Sequence, residues 1–364
     1  MIYLAIIVLW FALIRFLVVL YNIVGRQWLR NGEPENFPLV SVLIPARNEE
    51  KNIASILDDL SQHDYPNLEI IVYDDLSGDA TYETALSKTQ KDPRIQVLKG
   101  GNLPEGWLGK NHGCHRLSLH ARGEYMLYLD ADVQIKKGLI KNALAHVKKH
   151  QLDLFSIFPT QKMHSLGERL TVPLMNWILV SLLPLVLTRK SSWSSFSAAN
   201  GQFMFFRAEV YHREQFHKTL KEQKVEDIAI FRLMKKKEYK VHTVLGNGQI
   251  SCRMYSSWNE SVMGFSRSVF DFFGGSKMLA FLFGIITTLG FIPVLLALPL
   301  IFTFFYFLLI VLMRAMIAAA SRQNVILNLL LAPLQQLSFM FVMVKAAVLQ
   351  FAKTTQWKGR LIDK

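Results

Sequence analysis

The acidic residues of this chain fall at places that suit chemistry on phosphates. Asp130 and Asp132 stand one residue apart, directly behind the apolar run 125–129. Two hard oxygen ligands at that spacing suit a divalent cation, which commonly keeps its other positions for water and substrate phosphates. Asp74 and Asp75 close a second apolar run, 68–73. A carboxylate there either accepts hydrogen bonds from a nucleoside or builds a turn with Ser77-Gly78-Asp79. Glu226 and Asp227 lie in a basic stretch, 218–240. Asp227 is a candidate general base for an acceptor hydroxyl; the plainer alternative is a surface carboxylate paired with a nearby lysine. The segment Pro45-Ala46-Arg47-Asn48-Glu49-Glu50 brings backbone groups to the same region, with Arg47 facing phosphate or, alternatively, with favourable acids in a solvated first helical turn. In Gly106-Trp107-Leu108-Gly109-Lys110 the glycines admit a close approach, and Lys110 at a helix start suits phosphate. This loop matches neither the P-loop nor the dinucleotide fingerprint.

These residues need a scaffold that gathers them. Apolar runs at 39–45, 68–73, 95–98 and 125–129 read as buried strands, and 203–206 and 241–244 as further ones. Helical spacing fills the gaps at 49–62, 81–89 and 111–120. Strand alternating with helix argues for an α/β unit with a mainly parallel sheet. Right-handed crossovers then place the strand ends on one edge, where ligands bind in open α/β sheets. Pro45, Asp75 and Asp130 should therefore converge.

The remaining sequence is membrane-like. Hydrophobic residues make up 51% of 364, and the formal net charge is +13. That excess points to an anionic partner. No nucleic-acid motif is present, and the lysines at 218–240 lie in a chain with apolar segments, so anionic lipid is favoured over nucleic acid. Cys114 and Cys252 form neither a disulfide framework nor a zinc pattern. The run 2–24 is long enough to span a bilayer. Nothing basic precedes it and Gly25-Arg26-Gln27-Trp28 is a poor cleavage context, which favours an uncleaved anchor. Arg26 and Arg30 put the following domain in the cytoplasm. The stretch 166–187, with Pro173 and Pro184, reads as an interfacial helix rather than a span. Met278–Met313 holds no charge and suggests two spans turning near Pro293–Pro299; 324–350 suggests a third. Three full spans leave the basic tail 353–364 on the wrong side, so one segment is re-entrant or interfacial, or the rule fails. The expected plan is an anchor at 1–25, an α/β domain at 39–250, a juxtamembrane region at 251–277, membrane helices at 278–352 and the basic tail.

Taken in order, the motifs from about Val40 to Gly248 resemble family 2 glycosyltransferases with the GT-A fold. On that resemblance Pro45, Ala46, Arg47 and Glu49 belong to the donor site. Asp74 and Asp75 end its nucleotide-binding strand, with Asp75 on the uracil. Asp130 and Asp132 are the metal motif, holding Mg²⁺ or Mn²⁺; Asp132 is the expected direct ligand, and Asp130 holds a bound water or the sugar. Glu226-Asp227 is the pair whose aspartate is the base. Pro104–Lys110, Asn200-Gly201-Gln202-Phe203, Arg253-Met254-Tyr255 and Gln356–Arg360 further resemble a membrane-anchored branch that includes carotenoid-acid and hopanoid-associated members. This adds Trp107, Lys110, Asn200, Gly201 and Arg253 to the substrate site and implies a membrane-lipid acceptor. No Gln-x-x-Arg-Trp follows Asp227, a departure from processive polysaccharide synthases that favours a single transfer. The expectation is an inverting, multi-pass enzyme of the inner or plasma membrane, with a cytoplasmic catalytic domain. It would move one sugar from a nucleotide-sugar, a UDP-hexose, to a carotenoid, another polyisoprenoid or a glycolipid. The alternatives are a nucleotidyl- or phospho-transferring enzyme on the same scaffold, and a non-catalytic membrane adaptor.

Overall fold

The computed structural model describes residues 1–352, 356–357 and 360–361; Lys358, Gly359 and most of the basic tail lie outside the described residues. The chain forms two units. One holds Trp28–Thr160 and Thr188–Cys252; the other holds Met1–Gln27, Gln161–Leu187 and the chain from Arg253 onward.

The first unit is built on a seven-stranded sheet. Its strands are β1 (Val40–Ala46), β2 (Leu68–Asp74), β3 (Ile95–Lys99), β4 (Tyr125–Leu129), β5 (Leu154–Phe158), β6 (Phe203–Arg207) and β7 (Val241–Leu245). Their order is β3-β2-β1-β4-β6-β5-β7. All neighbours run parallel except β6, which is antiparallel to both β4 and β5. Apolar and aromatic residues fill β2 and β4 without alternation because helices cover both faces. The register sets Leu43 beside Tyr128 and Ala46 beside Asp74. The carboxyl ends of β1, β2 and β4 therefore share one edge, as the crossover rule requires.

The helix Ile53–Ser61 buries Ile53, Ile56, Leu57 and Leu60, a spacing that repeats one helical face. It starts four residues later than expected, after turns in which the Glu49 carbonyl accepts from Asn52 N and Ile53 N. On one side of the sheet Tyr128, Phe206, Tyr211 and Phe231 meet in a continuous core. Burying each such side chain stabilises the unit by about 1.5–3 kcal/mol.

The second unit is helical. Ile2–Val24, Leu300–Ala320 and Ala332–Ala352 are each long and apolar enough to cross a membrane. A helix of 21 residues reaches about 31 Å, the thickness of a bilayer core. Trp10, Ile14, Phe304 and Phe341 stand exposed along them, the surface of a membrane-associated protein. Two expectations are corrected here. Met278–Met313 does not form two full spans: Lys277–Leu289 and Phe291–Ala297 are short pieces, and only Leu300–Ala320 is long enough. Lys277–Leu289 also reaches span length when taken with Trp258–Phe273, to which it is bent by 101°. Gly274 and Gly275, at φ 70° and 85°, make that bend. The stretch 166–187 is likewise not one helix. Leu166–Thr171 gives way to Pro173–Leu182, because Pro173 has no N–H to continue the ladder.

Several polar residues inside the apolar helices find partners within the same unit. Arg15 Nη2 donates to Ser181 Oγ at 2.8 Å, and its guanidinium lies 4.8 Å from the Trp177 ring centre. Arg314 lies 5.1 Å from the same ring and donates to Gln335 Oε1 at 2.8 Å and Gln336 Oε1 at 3.2 Å. Asn22 bonds to the backbone of Val180, Leu183 and Leu185.

Glu168 is a buried carboxylate of this unit. Burial opposes its charge, but hydrogen bonds from Arg253, His164 N, Ser165 Oγ and Ser165 N overrule that and hold the carboxyl down at about 2. Arg253 Nη2 reaches Oε1 at 2.9 Å, and Nε reaches Oε2 at 3.3 Å. Glu168→Gln breaks the two-pronged pair and should cost about 1–3 kcal/mol. Thermal unfolding of the detergent-solubilised protein checks this; an unchanged midpoint would contradict it.

Candidate active site

The loops after β1 and β2 are fastened to each other. Asn48 N donates to Ser77 Oγ at 3.0 Å, and Gly78 N returns to Asn48 Oδ1 at 2.9 Å. Glu50 N reaches Asp79 Oδ2 at 3.2 Å, while Ala80 N reaches Glu50 Oε2 at 3.3 Å. Asn48 and Leu76 both take left-handed backbone near φ 52°, so the loops can fold back at the strand ends. Arg47 is used in this fastening. Its Nη1 donates to the carbonyls of Asp75, at 2.5 Å, and Leu76, at 3.1 Å. Besides its expected place in the donor site, Arg47 thus also fastens the loop backbone. Asp74 Oδ2 accepts from Ser77 N at 3.3 Å, the turn role. Asp75, 4% exposed, is held at the end of β2 by its N–H to Ala46 O at 2.8 Å.

Lys110 is the hub. It enters the site from the first turn of the helix Gly109–Ser118. Its Nζ lies 2.9 Å from Asp130 Oδ1 and 3.2 Å from Glu226 Oε1. Burial disfavours the ammonium, but Asp130 and Glu226 overrule it and hold its pKa well above the ordinary range. The lysine therefore joins the strand-end carboxylate to the pair at the start of the helix Glu226–Lys236. Asp227 Oδ2 accepts from Gly201 N at 2.8 Å. A Cβ built on Gly201 would lie 3.0 Å from Lys110 Nζ, 3.4 Å from Glu226 Oε1 and 3.6 Å from Asp227 Oδ2. All three groups thus surround one point of bare backbone, where a side chain has no room. Asn200 shapes that turn: its N–H reaches Ser156 Oγ at 2.8 Å, and its Oδ1 accepts from Gln202 N at 2.9 Å.

The remaining carboxylate is held apart from Lys110. Asp132 accepts from Gln202 Nε2 at 3.2 Å and from Cys252 Sγ at 3.4 Å. Burial, then the charges of Asp130 and Glu49, raise its pKa to about 7. Asp227 is also raised to about 7, first by burial and then by Glu226. Two carboxyls with depressed acidity at one sheet edge mark a place short of positive charge.

That charge deficit is what a divalent cation would relieve. Among the described residues no group of three or more His, Cys, Asp or Glu forms a ready-made cage. Mg²⁺ and Mn²⁺ on nucleotides do not need one, since one or two carboxylates suffice when phosphates supply the rest. The donor set Asp130 and Asp132 fits such an ion.

Most residues singled out in the sequence meet at this edge: Pro45, Ala46 and Glu49 on or after β1, Asp74 and Asp75 after β2, Asp130 and Asp132 after β4, Asn200 and Gly201 before β6, and Glu226 and Asp227 with Lys110. Trp107 stacks on His115 with ring centres 5.3 Å apart. Arg253 belongs to the helical unit, where Glu168 engages its guanidinium, so it has a structural partner there. Three residues escaped the sequence reading. Gln202 and Cys252 grip Asp132, and Asn111 Nδ2 donates to the carbonyls of Leu220, Lys221 and Gln223, steadying the segment before Glu226. Gln202 stood inside a quoted motif, but no spacing assigns it to Asp132. Asn111 lies beside Lys110, and only the fold reveals its partners.

Parts of the chain are similar to known proteins. The profile of glycosyl transferase family 2 matches residues 41–214. A 4,4'-diaponeurosporenoate glycosyltransferase of Staphylococcus haemolyticus is 27% identical over 249 residues, 65% of this chain and 63% of that protein. The poly(ribitol-phosphate) beta-N-acetylglucosaminyltransferase TarS of Staphylococcus aureus is 32% identical over 119 residues, 32% of this chain and 20% of that one. The matches thus span under two thirds of the length of these relatives. The solved mannosyltransferase PcManGT from Pyrobaculum calidifontis, in complex with GDP-Man and Mn²⁺, shares the fold at a TM-score of 0.58 and 18% identity, over 98% of this chain and all of that one. The mainly parallel α/β sheet agrees with the expected GT-A fold. The match to glycosyl transferase family 2 thus covers residues 41–214, just under half of the chain.

Proposed function

We propose that this chain is an inverting glycosyltransferase that moves one hexose from a nucleotide-sugar, a UDP-hexose, to a membrane-lipid acceptor. The observation that carries this is the Lys110 bridge, which sets the base candidate Asp227 and the metal candidates Asp130 and Asp132 around one sheet edge. The similarity to a protein named as a diaponeurosporenoate glycosyltransferase, together with three span-length helices, supports a carotenoid or other polyisoprenoid acceptor. The unit 28–160 with 188–252 is the catalytic part, placed on the cytoplasmic side of the inner or plasma membrane by Arg26 and Arg30 after the first helix.

Asp132, with Asp130 through water, would hold the cation, which when bound neutralises charge on the departing diphosphate. Asp75 receives the base of the donor. Lys110 adds a fixed positive charge beside the diphosphate. Asp227 takes the acceptor hydroxyl proton as the oxygen bonds to the anomeric carbon. The bond from that carbon to the phosphate oxygen breaks, and its electron pair leaves with the nucleoside diphosphate. With a carboxylate acceptor Asp227 orients the nucleophile and takes no proton.

The test is incubation of the solubilised protein with UDP-hexoses and membrane lipids. Release of UDP with a new hexosylated lipid in the mass spectrum supports the reading. Release of UMP or pyrophosphate would point instead to phospho- or nucleotidyl transfer, and no turnover with any donor to an adaptor. A pH dependence follows as well. A base must be ionised, so with its pKa at about 7 the kcat/KM for a hydroxyl acceptor should fall as pH drops below about 7. Glu226→Gln removes a charge that raises Asp227, so this limb should move to lower pH. A limb that stays in place would sever the link between Glu226 and the base.

A further inference from the structure

Lys110 Nζ engages Asp130 and Glu226, and Asp132 is left without an ion-pair partner among the described residues. Asp132 accepts from Gln202 Nε2, at 3.3 Å on Oδ1 and 3.2 Å on Oδ2, and from Cys252 Sγ, at 3.4 Å on Oδ2. The same Nε2 lies 2.7 Å from Cys252 Sγ, so the three side chains meet at one point. Backbone pairing fixes them there. Strands Val133–Ile135 and Ile250–Cys252 run antiparallel, with Cys252 opposite Val133, the neighbour of Asp132. Gln202 directly precedes β6, and its N–H bonds to Asn200 Oδ1 at 2.9 Å.

Gln202 is 5% exposed, and its Oε1 is buried with no hydrogen-bond partner among the described residues. An idle acceptor of this kind costs about 1–3 kcal/mol. It belongs to the amide that touches Asp132 and Cys252. A half-turn of that amide keeps its shape and brings the oxygen to the carboxylate and the sulfur. Without a cation the turn is unfavourable, because oxygen would face oxygen. With one, it supplies a ligand and satisfies the acceptor. The plainer reading, a thiol and an amide that only steady Asp132, leaves Oε1 without a use.

The spacing also suits ligands. Bonds at zinc, about 2.3 Å to sulfur and about 2.1 Å to oxygen, set neighbouring ligand atoms about 3.1–3.6 Å apart. Cys252 Sγ and Asp132 Oδ2 stand 3.4 Å apart. Two side chains and an amide oxygen are not a closed cage, and substrate phosphates would complete the shell.

We propose that the Cys252 thiolate and the Gln202 amide oxygen bind the cation together with Asp132, and that the sulfur makes the site prefer Mn²⁺ or Co²⁺ to Mg²⁺. This rests on the reading of Asp132 as the cation ligand of the transfer reaction. The thiol proton passes to solvent as the metal–sulfur bond forms. Oxygen ligands alone suit Mg²⁺ and Mn²⁺ alike, whereas a thiolate favours softer ions.

The test uses the full chain in detergent with saturating UDP, and Co²⁺ as the probe. A thiolate ligand gives Co²⁺ a near-ultraviolet charge-transfer band, which is read without turnover. The band is expected in the wild type and in Cys114→Ser, which leaves Cys252 as the one thiol, and should vanish in Cys252→Ser. Calorimetry should show Mn²⁺ bound at least about tenfold tighter than Mg²⁺, a gap that Cys252→Ser closes and Gln202→Leu narrows severalfold. Should Cys252→Ser fail to fold, the band in Cys114→Ser and the wild-type preference decide. No binding of Co²⁺, binding without the band, a band that survives Cys252→Ser, or equal wild-type affinity for Mn²⁺ and Mg²⁺ overturns the proposal. Release of UDP from a UDP-hexose would then still uphold the transfer reading. A band without any such release would sink that reading and leave the sulfur ligand standing.

Discussion

Asp227→Asn should lower turnover of a hydroxyl acceptor by about 10²–10⁴-fold, the range a positioned general base contributes. The substitution is nearly isosteric. The amide oxygen can still accept from Gly201 N, so the turn at 200–202 and the Lys110 contacts should survive. Donor affinity should therefore stay within about twofold, because the loss falls on a step after binding. Calorimetric titration with UDP measures the first quantity and initial rates measure the second. Wild-type turnover in the variant would remove Asp227 from the mechanism. A proportional loss of donor binding would move it to the donor site.

Asp132→Asn should have an effect of similar size on rate and the opposite effect on stability. Several kcal/mol of charge stabilisation depend on the cation site, and each 1.36 kcal/mol is about tenfold, so a loss of at least 10²-fold is expected. Stability follows from the raised acidity constant. The folded carboxyl titrates at about 7 instead of 3.8. Ionisation is thus easier in the unfolded chain, and the folded state loses stability as pH rises from about 4 to about 7. Below that window the carboxyl is protonated in both states and its substitution changes little. Above it, the variant should melt a few degrees higher than the wild type in metal-free buffer. Added Mn²⁺ should raise the wild-type midpoint and leave the variant's where it was. A gap between the two proteins that does not widen with pH would show that Asp132 carries no such burden.

The sheet edge was legible in the sequence because strand patterns and crossover handedness are local rules. Runs such as 68–73 and 125–129 admit one reading, and the carboxylates that follow them inherit its consequence. Three features were not legible, each for a physical reason. Arg47 Nη1 donates to the carbonyls of Asp75 and Leu76, a backbone contact that nothing in the sequence announces. Gln202 and Cys252 reach Asp132 from segments 70 and 120 residues away, contacts that no periodicity encodes. In the apolar region hydropathy counted residues but could not locate breaks. Leu298-Pro299 and the paired glycines 274–275 decide which pieces are long enough to span.

The order of strands has a consequence for how the protein is made. β5 and β6 are hydrogen-bonded neighbours, yet residues 161–187 leave the sheet unit between them. Trp28 bridges to Leu245, and Leu29 N donates to Leu245 O at 2.8 Å, so the unit's first residues are stitched to its last strand. A nascent chain emerging from the ribosome can pair β1, β2, β3 and β4 early. It cannot complete the sheet until the detour is translated and Leu245 has appeared. Such a high-contact-order closure is slow, and a half-made sheet would expose the edge of β4 in the meantime. Pairing of the first strands and completion of the sheet are thus separated by the synthesis of the chain up to Leu245, a delay in which a chaperone has time to act. Because residues 161–187 belong to the other unit, no truncation from one end leaves the sheet unit as one continuous stretch of chain.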